Sequence, residues 1–167
     1  VFKPRVAAAI TETVRIIPIS FGGSIGYVSD TSALASVITR MHPISNVNVV
    51  MESTHAPPSL LVGSLLGILG GVSVGSYSLM QTVLDEVDDR CALLNGSQRS
   101  ARSAPKCIAV FPDNLVFKTS LNAGGTVVGI AFVGGVAMVT QSLGTVEVNV
   151  SSPYASSHWL SGRALTL

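Results

Sequence analysis

The three histidines are the first candidates for catalytic residues, because imidazole is the commonest general acid or base near neutral pH. His42 precedes a proline at the entrance of a predicted strand, His55 lies in a Pro-rich loop, and His158 lies in the C-terminal tail. Serines are abundant, and the Gly-x-Ser-x-Gly spacing occurs at residues 22–26 and 71–75, where the first glycine of each belongs to a pair that is interpreted as a turn. We therefore predict no catalytic residue and no enzymatic activity, with each histidine at a surface or an interface.

Carboxylates are concentrated in one cluster, which consists of Asp85, Glu86, Asp88 and Asp89. Carboxylate oxygens bind hard divalent cations, so a cation held between subunits is one use of this cluster. A solvated acidic loop is the simpler interpretation, because no two histidines or carboxylates fall at metal-ligand spacing on one predicted element. The sequence therefore predicts no resident metal and no cofactor.

Two further residue types carry potential chemistry, the cysteines and the paired glycines. Cys91 and Cys107 lie too far apart for a CxxC unit, and two thiols alone make a poor metal site. Two reduced structural thiols are the favoured interpretation, with a disulfide as the alternative. No glycine pair is followed by the Lys and Ser or Thr of a phosphate-binding loop, so the pairs are interpreted as turns.

Composition limits the partners of the whole chain. Of 167 residues, 47% are hydrophobic and only 11% are charged, and the net charge is +1. This length suits one domain with a sizeable core. Because affinity for phosphates rises with the number of Lys and Arg contacts, the chain as a whole is not an electrostatic nucleic-acid binder. The low charge instead favours surfaces that are buried in interfaces.

The elements that would position these residues look like short strands. Residues 11–20 and 47–52 show the β-branched alternation of half-buried strands, and Asp30 or Thr31 can cap a short helix over 33–38. Further apolar strands are predicted over 60–69, 72–83, 107–111 and 115–119, with a short helix at 88–94. The last segments, 124–141 and 143–151, end in an alternation in which Val146, Val148 and Val150 share one face. Eight to ten short strands with regular turns indicate a sandwich, a jelly roll or a small barrel.

A membrane-spanning hairpin is an alternative that the sequence leaves open. No formal charge occurs between Glu52 and Asp85, and Gly63, Gly67, Gly71 and Gly75 recur every four residues, a spacing that permits close helix packing in a bilayer. A second uncharged run covers residues 119–146. Polar insertions and the lack of aromatic residues at the ends of both runs favour strand pairs instead.

The order of these features resembles the single jelly-roll coat proteins of small icosahedral RNA viruses, with tymovirus-like coat proteins as the nearest comparison. The resemblance is carried by a short arm, a Thr/Ile-rich first strand, an Arg-x-His pair at Arg40 and His42, a Pro-rich loop, uncharged strands and a closing Gly-Thr-Val-x-Val strand at 144–148. It implies an all-β fold: an eight-stranded antiparallel jelly roll with short helices in its loops. Residues 1–10 would form an N-terminal arm, 11–153 the shell domain and 154–167 a C-terminal tail.

The same resemblance implies a structural function. The chain would self-assemble into an icosahedral shell around a viral RNA genome, in the virion and in the host cytoplasm during assembly. Its partners would be copies of itself and viral RNA, with no small-molecule substrate and no membrane. The RNA-facing residues would be Lys3, Arg5, Arg15, Arg40 and His42. A soluble β-sandwich binding module is a further alternative.

Overall fold

The computed structural model describes residues 11–41, 44–62, 65–69, 71–97, 104–121, 125–127, 129–131 and 136–141. In chain order its elements are β1 (Thr11–Pro18), β2 (Ser20–Phe21), β3 (Ser24–Ile25), α1 (Thr31–Met41), β4 (Asn46–Met51), α2 (Pro58–Val62), β5 (Leu65–Leu69), β6 (Val72–Ser76), α3 (Tyr77–Leu94), β7 (Lys106–Val110), β8 (Leu115–Lys118), β9 (Thr126–Val127), β10 (Gly129–Ala131) and β11 (Ala137–Thr140).

The main sheet has the strand order β10-β11-β7-β1-β4. Strands β4, β1, β7 and β11 run parallel, and β10 pairs antiparallel with β11 at the edge. In the central strand β1, Ile16 lies opposite Met51 of β4 and Ile108 of β7. Parallel strands are normally covered on both faces, and their sequences are then apolar runs. All four residues of β11 are buried, as this rule requires.

Helices cover the two faces of the main sheet. On one face Leu34 and Ile38 of α1 pack against a cluster that includes Val14 and Ile16 of β1. On the other face buried residues of α3, including Met80 and Val83, pack with Ile17 and with the strand residues around it. Because successive β1 side chains point to opposite faces, one strand supplies both hydrophobic layers. The architecture is therefore a three-layer α/β/α sandwich.

Helix α1 confirms the helix that the sequence predicts after the first strand. Asp30 Oδ1 accepts hydrogen bonds from the backbone N–H of Ser32 at 2.8 Å and of Ala33 at 2.9 Å, so Asp30 is the capping residue. The helix runs to Met41, which is longer than predicted.

Helix α3 is the element that the sequence analysis assigned wrongly, because residues 72–83 were predicted as a strand. Strand β6 ends at Ser76, whose hydroxyl accepts the backbone N–H of Leu79 at 3.1 Å and caps the helix. The buried α3 side chains recur at helical spacing: Leu79, Met80, Val83, Leu84, Val87, Cys91 and Ala92. The short helix predicted at 88–94 is the last part of α3.

A second sheet has the strand order β5-β6-β8-β9, with β6 and β8 parallel. It continues the core that lies between α3 and the main sheet, since Leu115 and Phe117 are fully buried in the same hydrophobic cluster as the α3 residues. The Phe117 ring lies 4.7 Å from the ring of Phe111, which directly follows β7. Strand β8 follows β7 after a short turn, so the two sheets share one hydrophobic cluster.

A disulfide joins Cys91 of α3 to Cys107 of β7, with the Cα atoms 5.9 Å apart. The favoured prediction of two reduced thiols is therefore wrong, and the alternative is correct. Sequence spacing could not decide this point, because the pairing depends on α3 packing over β7.

The predicted all-β antiparallel jelly roll is contradicted by the parallel strands and by α1 and α3. Predicted strands at 11–20, 47–52, 107–111 and 115–119 do correspond to β1, β4, β7 and β8. The error lies in the helix hidden in residues 77–94 and in the direction of pairing, because crossover helices make β1, β4 and β7 parallel. The predicted arm (1–10), the alternation around Val148 and the tail (154–167) lie outside the described residues.

In the described part of the chain, no helix combines the length and the apolarity needed to cross a bilayer. The uncharged residues between Glu52 and Asp85 contribute α2, β5, β6 and the first half of α3 rather than one membrane helix.

Candidate ligand site at the carboxyl edge

Strands that follow β1 in the chain are added to the main sheet on both sides of β1, so the strand order reverses there. From β1 the chain passes through α1 to β4 on one side, and after α3 it returns as β7 on the other side of β1. The segments that follow β1 and β7 therefore leave the sheet toward opposite faces. In open α/β sheets ligands bind in the crevice outside the carboxyl ends of two such strands. A ligand site is therefore expected among the residues that follow β1 and β7.

Four polar residues lie at the carboxyl ends of the four parallel strands, and we call them the carboxyl-edge row: His55 after β4, Ser20 after β1, Asn114 after β7 and Gln141 after β11. Backbone hydrogen bonds hold these ends side by side. Ser20 N donates to His55 O at 2.8 Å, and Ile19 N donates to Val110 O at 2.9 Å. The amide of Phe111 donates to Thr140 O at 2.8 Å. The row therefore follows the edge across all four strands.

Three members of the row carry a buried polar atom that has no hydrogen-bond partner among the described residues. These atoms are His55 Nε2, Asn114 Oδ1 and Gln141 Nε2. A buried polar group without a partner costs roughly 1–3 kcal/mol, so native proteins pair such groups with protein, water or ligand. Their concentration at one edge of the sheet marks that edge as a place where a polar ligand would be stabilised.

The β2–β3 hairpin fixes one side of this edge. Its turn residues Gly22 and Gly23 have φ values of 56° and 79°, a region that favours glycine. Asn114 Nδ2 donates to Phe21 O at 3.3 Å and ties the hairpin to the segment after β7. A Cβ atom added at Gly26 would lie 1.8 Å from Val110 O. The chain can therefore return from the hairpin across β7 only because residue 26 is glycine.

Burial lowers the pKa of His55 below its ordinary value, and the nearby positive charge of Arg90 lowers it further, while Glu86 acts in the opposite direction. The imidazole is therefore neutral at neutral pH. A neutral imidazole has one nitrogen that donates a hydrogen bond and one that accepts.

Two polar contacts hold the segment that carries His55 against α3. Glu86 accepts hydrogen bonds from the backbone N–H and the hydroxyl of Ser59, both at 3.0 Å. Arg90 donates to Ser53 Oγ at 2.7 Å. Glu86 was one of the four carboxylates in the predicted acidic cluster, and its position gives it a structural role.

The remaining acidic residues lie on a helix rather than in the predicted loop. Asp85 and Asp89 are exposed on α3, and Asp88 is half-buried. Within the described ranges no three His, Cys, Asp or Glu side chains are placed to hold a metal ion.

Of the five predicted RNA-facing residues, only Arg15 and Arg40 lie in the described part of the chain, and the fold does not place them on one surface. Arg15 is half-buried in β1, where it pairs with Glu52 and donates to Asn95 Oδ1 at 3.2 Å. Arg40 is exposed in the last turn of α1, which covers the opposite face of the main sheet. Lys3, Arg5 and His42 lie outside the described residues.

Neither Asn114 nor Gln141 was predicted from the sequence as a site residue. The available signal was that each comes shortly after a mainly apolar run, 107–111 for Asn114 and 136–139 for Gln141. That signal identifies one edge only when the strands are parallel, which the antiparallel prediction ruled out.

Comparison of the chain with protein-family models, with curated proteins and with solved structures gives no match.

Proposed function

We propose that this chain is a ligand-binding α/β domain whose site is the carboxyl-edge row. The observation that carries the proposal is the set of three buried polar atoms, in His55, Asn114 and Gln141, that have no partner among the described residues and that follow β4, β7 and β11 at one edge of the main sheet. The reversal of strand order beside β1 supports the same location. This proposal departs from the expectation, drawn from the sequence, of no small-molecule partner.

The chemistry of the row favours an uncharged polar ligand with both hydrogen-bond donors and acceptors, such as a sugar or a nucleoside. Two amides, one hydroxyl and one neutral imidazole supply both kinds of group without formal charge. Phosphate recognition normally uses Arg, Lys or unpaired helix N-termini. Here Asp30 already caps the N-terminus of α1, and Arg40 and Lys106 lie at the other edge of the sheet. Arg90 is a cation near His55; it donates to Ser53 Oγ, and its Nε has no partner among the described residues.

A binding screen tests the proposal. Neutral sugars and nucleosides, each beside its phosphorylated counterpart, are added to the isotope-labelled protein, and backbone amide shifts are recorded. We expect shifts for a neutral compound at residues around Ser20, Asn114 and Gln141, and weaker or no shifts for its phosphorylated form. Shifts confined to the amino ends of the strands, or none with any neutral compound, would contradict the proposal.

Matched variants separate the site from a general loss of structure. Asn114→Ala should abolish the shifts, because it removes an amide from the row. Asn46→Ala is the control: it removes an amide from the amino edge, where Asn46 Oδ1 accepts only the neighbouring N–H of Val47 among the described contacts. Gln141→Ala provides a second probe if Asn114→Ala weakens the hairpin contact to Phe21. Equal loss of binding in Asn46→Ala would count against the assigned edge.

The coat-protein role stays a prediction. The fold does not support this role, because the chain has a mixed α/β fold rather than the jelly roll of the coat proteins that it resembles. What still supports self-assembly is the low charge content of 11%. The predictions of viral RNA as a partner, of a virion location and of no enzymatic activity likewise stay predictions.

A further inference from the structure

Strand β5 forms one edge of the second sheet. Among the described residues it pairs with β6 on one side only. The backbone N–H and C=O groups along the other side of an edge strand are a template for pairing with another strand. Natural edge strands usually carry charges or prolines that discourage such pairing, and Leu65–Leu69 contains neither.

An apolar surface surrounds this edge. Its large side chains are exposed although they carry no polar group: Leu61 (78%), Val62 (86%), Leu66 (36%), Ile68 (71%), Leu69 (46%) and Leu121 (38%). The Leu121 side chain would lie 3.8 Å from a Cβ atom at Gly67, so it borders β5 directly. We call these six residues the β5 surface. Monomeric proteins rarely expose contiguous apolar patches of this kind without a partner.

We propose that the β5 surface binds a second copy of this chain, with the two β5 strands paired antiparallel about a two-fold axis. The second sheets of the two copies would then form one continuous eight-stranded sheet. A two-fold interface uses the same patch on both copies, so the patch must be compatible with itself. The β5 surface meets this condition, because no formal charge occurs between Glu52 and Asp85 and apolar residues meet apolar residues.

Two observations favour this edge and this occupant. One edge strand of the main sheet, β4, alternates Asn46 and Asn48 with apolar residues, so it is less apolar than β5. A two-fold contact through β5 would remove the exposed apolar side chains of both copies from water, which favours association.

Sedimentation of the full chain over a concentration series tests the proposal. We expect a dimer in the wild type, and at least a tenfold higher dissociation constant in Ile68→Lys, because each copy would place a charge in the apolar contact. Leu93→Lys is the matched control, since Leu93 is 75% exposed but lies near the end of α3. It should dimerise like the wild type. Circular dichroism and the melting temperature report whether each variant is folded.

Three outcomes would overturn the proposal. One is a wild type that stays monomeric throughout the series; a lower melting temperature of Ile68→Lys would then show that part of the same chain covers β5. Another is equal weakening of the dimer by Ile68→Lys and Leu93→Lys. The third is particles much larger than a dimer that persist in Ile68→Lys, because they would show assembly through another surface.

Discussion

The main sheet and the second sheet are built from similar residues but differ in how completely they are covered. All four residues of β11 are buried between layers, whereas Leu66, Ile68 and Leu69 of β5 are exposed. Both strands are short, mainly apolar and free of charge. The difference teaches that an apolar strand in this chain does not by itself identify the core. Coverage by α1 and α3 decides which strands are buried.

The largest expected effect comes from truncating the same residue type in each sheet. Ile17→Ala should lower the free energy of unfolding by roughly 2–5 kcal/mol, because Ile17 is fully buried between β1 and α3 and the change leaves a cavity. Ile68→Ala should change it by less than about 0.5 kcal/mol, since that side chain is 71% exposed. Urea unfolding at a concentration where the chain is monomeric measures both. Similar losses in the two variants would show that β5 is as well covered as β1.

A somewhat smaller effect is expected from the disulfide, which ties α3 to β7 of the main sheet. Cys91 and Cys107 are 16 residues apart, and a loop of that length corresponds to a stabilisation of about 3 kcal/mol. Cys91→Ser with Cys107→Ser should lower the urea midpoint accordingly, and a reducing agent should have the same effect on the wild type. A reducing agent should leave the double variant unchanged. If the reducing agent also lowers the urea midpoint of the double variant, its effect on the wild type is not due to the disulfide alone.

The smallest expected effect concerns His55, at the boundary between α3 and the carboxyl edge. Because its pKa is lowered in the folded protein, the unfolded chain binds a proton more readily, with its ordinary pKa of 6.5. The resulting stability is present above pH 6.5 and is lost as the pH falls toward the folded pKa. The free energy of unfolding should therefore decrease more steeply on acidification in the wild type than in His55→Gln. If the free energies of unfolding of the two proteins fall in parallel with pH, burial of His55 does not contribute to the pH dependence of stability.

Several elements could be predicted from local sequence because their signals are local. The β-branched alternation located β1 and β4, and the short apolar runs located β7 and β8. A capping aspartate followed by an apolar stretch located α1. Helix α3 was missed because residues 72–83 are rich in Val, Ser and Gly, which resembles a strand until the helical spacing from Leu79 onward is considered.

The candidate site could be predicted only in its parts. His55 and Asn114 follow the predicted strands 47–52 and 107–111, whereas Ser20 and Gln141 are the last residues of the predicted segments 11–20 and 124–141. His55 and Gln141 are 86 positions apart and are related only through the parallel order of the strands. Strand direction is not encoded in the alternation of one strand. The direction of pairing is set by the crossover through α1 and α3, and that is a property of the assembled core.

The sequence by itself determined that this is a weakly charged, apolar chain with β-rich segments, a helix after the first strand and a turn at the glycine pair Gly22 and Gly23. Those properties follow from side-chain chemistry and backbone preferences that act over a few residues. Only the tertiary structure decided that Cys91 pairs with Cys107, that β11 is buried while β5 is exposed, and that four polar strand ends share one edge. Each of these depends on packing between segments that lie far apart in the chain, where local preferences carry no information.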